Sequence, residues 1–287
     1  MNSESIKNLY MKKLFFAILS AAVLIAISSC SKNTDFNGGP GQLIVKITDA
    51  PFPIDYIESA SVTITKIEIR KICDSISDGN PYLVVSEDSM TLNLMELRNG
   101  ITENLPAIEI PQGNYDLIRL YVDEASLKIK DGDTYNVKVP SGKQTGIKIF
   151  ISPALNVEGG LTSELLLDFD LSRSFVMRGN LESPHGINGF IFKPVIRAVN
   201  NTTAGRIAGM VTDTSKVKLA NAEVWVKQDT ILAKAFTDTL GHYAFLGVPA
   251  GTYSLFATKQ DYDTVSFTGV KVIEGNLTIK DFVLTHK

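Results

Sequence analysis

Cysteine, histidine and tryptophan are scarce in this chain: its 287 residues contain two, three and one of them. Two cysteines cannot build a disulfide framework. The three histidines, His185, His242 and His286, are far apart and fall in a loop, a turn and the chain end, so no metal-ligand spacing joins them. His-Glu-x-x-His, Gly-x-Ser-x-Gly and a glycine-rich phosphate loop are missing, which removes the zinc-hydrolase, serine-hydrolase and nucleotide-binding signatures. Charge is nearly balanced at -3, and no basic cluster gives an electrostatic reason to expect nucleic acid. No cofactor is implied. A long apolar run is lacking as well, since residues 14–27 are too few for a stable membrane span.

That short run is nevertheless informative. Lys12 and Lys13 precede it and Ser28-Ser29-Cys30 follow it, the order of an export signal. With Leu24-Ile25-Ala26-Ile27-Ser28-Ser29-Cys30, the segment resembles a bacterial lipoprotein signal. The resemblance implies that residues 1–29 are removed and that Cys30 is lipidated. The remainder would then fold outside the cytoplasm, anchored in the cell envelope at the outer membrane, with its periplasmic or surface-facing direction left open. Met11-Lys12-Lys13 makes a normal signal start by itself, so Met1 and Met11 are both candidate initiators. Lipidation of Cys30 leaves Cys73 unpaired, read as an inert core or strand-end thiol. Residues 30–41 are polar and glycine-rich and read as a flexible tether.

Beyond the tether the chain is mainly β. Leu43, Val45 and Ile47 alternate with Ile44, Lys46 and Thr48, as in a half-buried strand. In residues 61–73, apolar parity changes between Val62/Ile64 and Ile67/Ile69, so a β-bulge is expected near Thr65 and Lys66. Residues 115–122 are apolar on both faces and should form a central strand. Further strands are expected at 82–86, 91–94, 126–130, 134–139, 147–151, 161–169 and 190–196. Pro111-Gln112-Gly113-Asn114 and Asp131-Gly132-Asp133 supply tight turns.

Two family resemblances follow. Val45-Lys46-Ile47-Thr48-Asp49-Ala50-Pro51, Gly113-Asn114-Tyr115-Asp116-Leu117-Ile118-Arg119-Leu120, Leu167-Asp168-Phe169-Asp170 and Lys193-Pro194-Val195-Ile196 place residues 42–199 among resemblances to DUF4382, a domain of unknown function common in Bacteroidetes lipoproteins. The resemblance implies an exported β-rich module and assigns no catalytic residue. After the polar linker Asn200-Asn201-Thr202-Thr203, Gly205-Arg206-Ile207-Ala208-Gly209, Thr237-Asp238-Thr239-Leu240-Gly241-His242-Tyr243 and Val248-Pro249-Ala250-Gly251-Thr252-Tyr253 make residues 205–287 similar to the carboxypeptidase regulatory-like family. That resemblance implies a small prealbumin-like sandwich, of a carbohydrate-binding-like fold, without a peptidase site. The expected fold class is two β-sandwich-like domains in tandem after a lipoprotein signal peptide. Some relatives of the second sandwich carry a lysine-to-asparagine crosslink, but residues 205–213 hold no lysine to partner Asn276.

Few side chains carry chemistry. Asp168 and Asp170 share one strand face and could help bind calcium, or simply satisfy loop amides. Trp225 should point outward, because Ala222, Val224 and Val226 form the inward set; an exposed indole could contact a sugar or a protein partner, unless a loop covers it. Tyr243, Phe245, Tyr253 and Phe267 read as core aromatics. Asp-Ser/Thr pairs before a small or apolar residue resemble the O-glycosylation site of Bacteroidetes exported proteins at Ser75, Ser89, Thr230, Thr239 and Thr264, and are also common turn pairs. The expected function is a non-enzymatic envelope lipoprotein, tethered to the membrane through Cys30, whose modules bind a glycan or envelope protein, mediate adhesion or support assembly. The alternatives are an exported glycan- or peptide-acting hydrolase with its site near Asp168, Asp170 and His185, and a periplasm-facing structural partner of an envelope complex.

Overall fold

The computed structural model describes residues 39–50, 56–72, 80–139, 144–179 and 186–287. These fall in one compact unit. Cys30, Cys73, Ser75 and His185 lie outside the described residues.

The first module contains β1 (Gly41–Ala50), β2 (Ile57–Lys71), β3 (Tyr82–Ser86), β4 (Met90–Asn93), β5 (Glu103–Asn104), β6 (Ile108–Ile110), β7 (Gly113–Ile129), β8 (Thr134–Val137), β9 (Ile147–Val157) and β10 (Thr162–Asp170). A one-turn helix α1 (Leu171–Ser174) then leads to β11 (Phe175–Gly179), β12 (Ile187–Phe192) and β13 (Ile196–Asn200). The main sheet runs β3-β2-β7-β9-β13-β10-β1-β5, while β11 and β12 form a separate ribbon. β1 and β10 are parallel, and β9 meets β13 in parallel through the single pair Ile151/Ala198.

β7 is the central strand. It lies between β2 and β9, and Tyr115, Leu117, Ile118, Leu120 and Val122 are all buried, so both of its faces are apolar. The strand expected at residues 126–130 is not separate: residues 126–129 continue β7, because β2 pairs with it as far as Ile57/Ile129. The expected bulge is present: the β2/β7 register shifts between Thr63 and Lys66. Val62 and Ile64 before it, and Ile67 and Ile69 after it, all reach the core.

Other boundaries also differ from the sequence reading. β9 extends past Ile151 to Val157, skipping register opposite Asp116. Leu94 leaves β4 for a 3₁₀ turn, where the Asn93 side-chain Oδ1 accepts the Met95 N–H. Residues 190–196 form parts of two strands rather than one. Between them, the Ser174 hydroxyl accepts the Val195 N–H at 2.9 Å and the Ser174 carbonyl accepts that of Lys193 at 2.8 Å. Pro194 offers no N–H, so the ladder is interrupted here.

The second module comprises β14 (Ala204–Asp213), β15 (Glu223–Lys227), β16 (Ile231–Phe236), β17 (His242–Pro249), β18 (Gly251–Thr258), β19 (Val265–Val272), β20 (Leu277–Ile279) and β21 (Phe282–Leu284). One sheet centres on β14, flanked by β17 and by β20 and β21; the other runs β16-β15-β18-β19. Between them Ile207, Val211, Val224, Val226, Tyr243, Leu255 and Phe282 form the core. The protein is thus a tandem of β-sandwich modules. One device recurs in both: Pro111-Gln112-Gly113-Asn114-Tyr115 opens β7 and Pro249-Ala250-Gly251-Thr252-Tyr253 leads into β18. In each, the tyrosine hydroxyl donates to the proline carbonyl four residues back, at 2.6 and 2.8 Å. The ring enters the core while its polar end stays satisfied.

The linker between the modules is pinned. Asn201 donates from its side chain to the Glu164 carboxylate and from its N–H to the Glu164 carbonyl, and the Thr202 hydroxyl accepts the Glu164 N–H.

Candidate binding surfaces and the junction between the modules

Trp225 lies on the outward side of β15, between buried Val224 and Val226. It is half-buried. Across the β15/β18 pairing it faces Phe256, and the two rings stack with centroids 5.1 Å apart and planes 6° from parallel. Such a pair contributes about 0.5–1.5 kcal/mol beyond area burial. One indole face is occupied by Phe256, so a ligand would meet the remaining face or the ring edge. Glu223 and Lys234 form an ion pair beside it at 2.6 Å.

Asp168 and Asp170 have separate tasks. Asp170 caps α1: its Oδ1 accepts the Arg173 N–H at 3.0 Å and the Ser172 hydroxyl at 2.6 Å, and Oδ2 accepts Arg173 Nε at 2.6 Å. Asp168 Oδ2 accepts Arg197 Nη2 at 2.7 Å and Nε at 3.3 Å. Burial pushes the Asp168 carboxyl above its usual range, against the pull of Arg197. Among the described residues no group of three His, Cys, Asp or Glu side chains could hold a metal, so the calcium suggestion has no ligand set behind it there.

Arg197 also ties the modules together. Its Nη1 donates to the Gly247 carbonyl at 2.8 Å and Nη2 to that of Leu246 at 3.3 Å, both on β17 of the second module. Beside this clamp Leu166, Val199, Ala204 and Leu246 form a small apolar cluster. Gly247, at φ 60, fits against it because a Cβ there would come 2.8 Å from Leu166 Cδ2. Asp49 sits nearby, buried, accepting the Leu171 N–H through Oδ1 at 3.3 Å while Oδ2 has no partner. Burial first, and then the charge of Asp168, raises its carboxyl well above the ordinary range.

Residues 40–194 match the family described as a domain of unknown function, DUF4382. The chain belongs to the DUF4382 family. Residues 206–285 match the carboxypeptidase regulatory-like domain. No curated protein matches the chain. Solved structures with similarity include the Bacillus anthracis TIE protein, 14% identical over 86% of this chain and 34% of that one, with a TM-score of 0.25. Shaft pilin SpaA from Lactobacillus rhamnosus GG is 10% identical over 87% and 98% of the two chains, also at 0.25. The minor pilin GBS52 from Streptococcus agalactiae is 11% identical over 85% and 96%, at 0.24. The chain thus spans about a third of the Bacillus anthracis protein. At such scores these likenesses carry no functional argument.

The remaining candidates are dispersed. Ser89, Thr230, Thr239 and Thr264 are exposed, outside the strands. His242 opens β17 beside Asp238, and His286 lies edge-on to Tyr262 at 5.1 Å. The sequence reading missed Phe150. The DUF4382 module exposes it on β9, at 69% accessibility. Parity carried the signal, because Ile147, Ile149 and Ile151 share the opposite side of the strand.

Proposed function

We propose that this chain is a non-enzymatic lipoprotein of the cell envelope, tethered to the outer membrane through lipid on Cys30, whose two joined β modules serve ligand binding, adhesion or assembly. The observation that carries the binding role is the half-exposed Trp225/Phe256 pair on an outward sheet face. Aromatic anchors of this kind dominate the energetics of protein contacts. The Arg197 clamp supports the reading by holding that face in a fixed relation to the first module. Attachment of glycans at one or more of Ser75, Ser89, Thr230, Thr239 and Thr264 belongs to the same reading.

The test combines three measurements. Cys30→Ala should move the protein from the membrane to the soluble fraction; continued membrane partition would remove the tether. Trp225→Ala should lose partners that the full chain captures from envelope extracts or a glycan array, and an unchanged profile would remove the binding face. Surface proteolysis of intact cells decides the direction of display. A native intact mass equal to polypeptide plus lipid would exclude glycosylation.

A further inference from the structure

Strand β9 turns Lys148, Phe150 and Ser152 outward into a cleft of about 470 Å³ between the modules, whose other wall includes Leu232 of β16. Small-molecule sites favour such junctions and span about 300–1,000 Å³. Phe150 makes no ring contact among the described residues. Covering a phenyl ring this exposed would recover roughly 1–2 kcal/mol.

The charges around the ring do not cancel. Arg197 is matched by Asp168, and Arg173 by Asp170. Lys148 has no ion pair or hydrogen bond among the described residues. Its neighbour across the β7/β9 pairing, Arg119, is itself met by Glu68 at 3.2 Å. The Arg173 side chain remains 66% exposed despite its contact with Asp170. The surplus charge of the cleft is therefore positive.

These features fit a sugar better than an extended peptide. On the first-module side β9 is hydrogen-bonded to β7 and meets β13 at Ile151/Ala198, so that wall faces a ligand mainly with side chains rather than with main chain. It offers instead a flat ring, a hydroxyl on Ser152 and cations within one wall. A sugar ring has an apolar C–H face and hydroxyls, and a uronic acid adds a carboxylate. We propose that the cleft binds an acidic saccharide, with a sugar ring against Phe150 and its carboxylate at Lys148 and Arg173. This site is separate from the Trp225 face.

Titration calorimetry of the full chain with hexagalacturonate and its methyl ester tests the proposal. The acid should bind and the ester should bind about tenfold more weakly or not at all. Phe150→Ala should weaken binding by about tenfold or more. Lys148→Ala should weaken it and flatten its salt dependence, whereas Lys271→Ala, which removes an exposed cation on β19 outside the cleft lining, should leave it unchanged. Both cleft positions are exposed, and an unchanged unfolding midpoint will show that each variant is folded. Failure of the acid to bind, equal binding of acid and ester, or unaltered binding by folded Phe150→Ala would overturn the proposal. Stronger binding of a polyglutamate peptide than of the saccharide would overturn the sugar assignment.

Discussion

Replacing Arg197 with methionine tests the junction most directly, since it keeps much of the side-chain volume and removes every polar contact of the guanidinium. Asp168 would be left 12% exposed without its counter-ion, and the carbonyls of Leu246 and Gly247 would lose their donors. Breaking a buried ion pair on one side costs about 3–5 kcal/mol. Arg197 retains 24% side-chain exposure, so solvent relieves part of that cost and about 3 kcal/mol is expected. The loss should grow with pH. An acid whose folded pKa is raised contributes stability while protonated, and that stability is lost as pH rises from its unfolded value through the folded one. Burial already raises Asp168, and removing Arg197 removes the main opposing influence. Urea unfolding of the full chain should therefore show a lower midpoint, with the two modules unfolding in separate steps. Asp168→Asn combined with Arg197→Met should cost less than the sum of the single changes, by about 1–2 kcal/mol. A cost below about 1 kcal/mol for Arg197→Met, the range of exposed pairs, would refute the clamp.

Asp49→Asn should become favourable relative to the parent as pH rises, because the buried carboxyl loses stability through its raised ionisation and the amide does not titrate. Unfolding midpoints from about pH 4 to about pH 8 check the sign, and a constant difference would contradict it. Gly247→Ala should cost roughly 2–4 kcal/mol, from left-handed backbone and a Cβ forced against buried Leu166; chemical denaturation measures it, and a neutral result would mean the junction relaxes freely. Tyr115→Phe and Tyr253→Phe should each cost about 1 kcal/mol by the same assay, for loss of the hydrogen bond to the proline carbonyl. A large difference between them would show that the recurrent turn is not one device.

Local alternation made much of this protein legible, because it follows from which side of a strand meets water. The parity change around Thr65 could be read as a bulge without knowing which strand lay opposite, since any regular pairing would have exposed either Val62 and Ile64 or Ile67 and Ile69. β7 was readable as central for the same reason: two apolar faces need two covers. Its length was not, because residues 126–129 stay extended through distant partners on β2 and β8. The parallel contacts β1/β10 and β9/β13 join segments with no local signature of each other.

The junction was the least legible part, although its residues were in view. Asp168 was noticed as an acid on a strand face, but its meaning depends on Arg197, 29 residues away, and on carbonyls about 50 residues beyond that arginine. No property of the aspartate alone separates a buried ion-pair partner from a metal ligand or a catalytic acid; only the group opposite it does. Phe150 presents the reverse case. Its outward direction was fixed by the isoleucines on either side, yet exposure matters there only because the second module supplies Leu232 across the cleft. A tandem arrangement can therefore create a binding surface that neither module encodes separately. It follows that weakening the Arg197 clamp should weaken saccharide binding even though Phe150 and Lys148 remain intact, and that coupling would be absent if the cleft belonged to β9 alone.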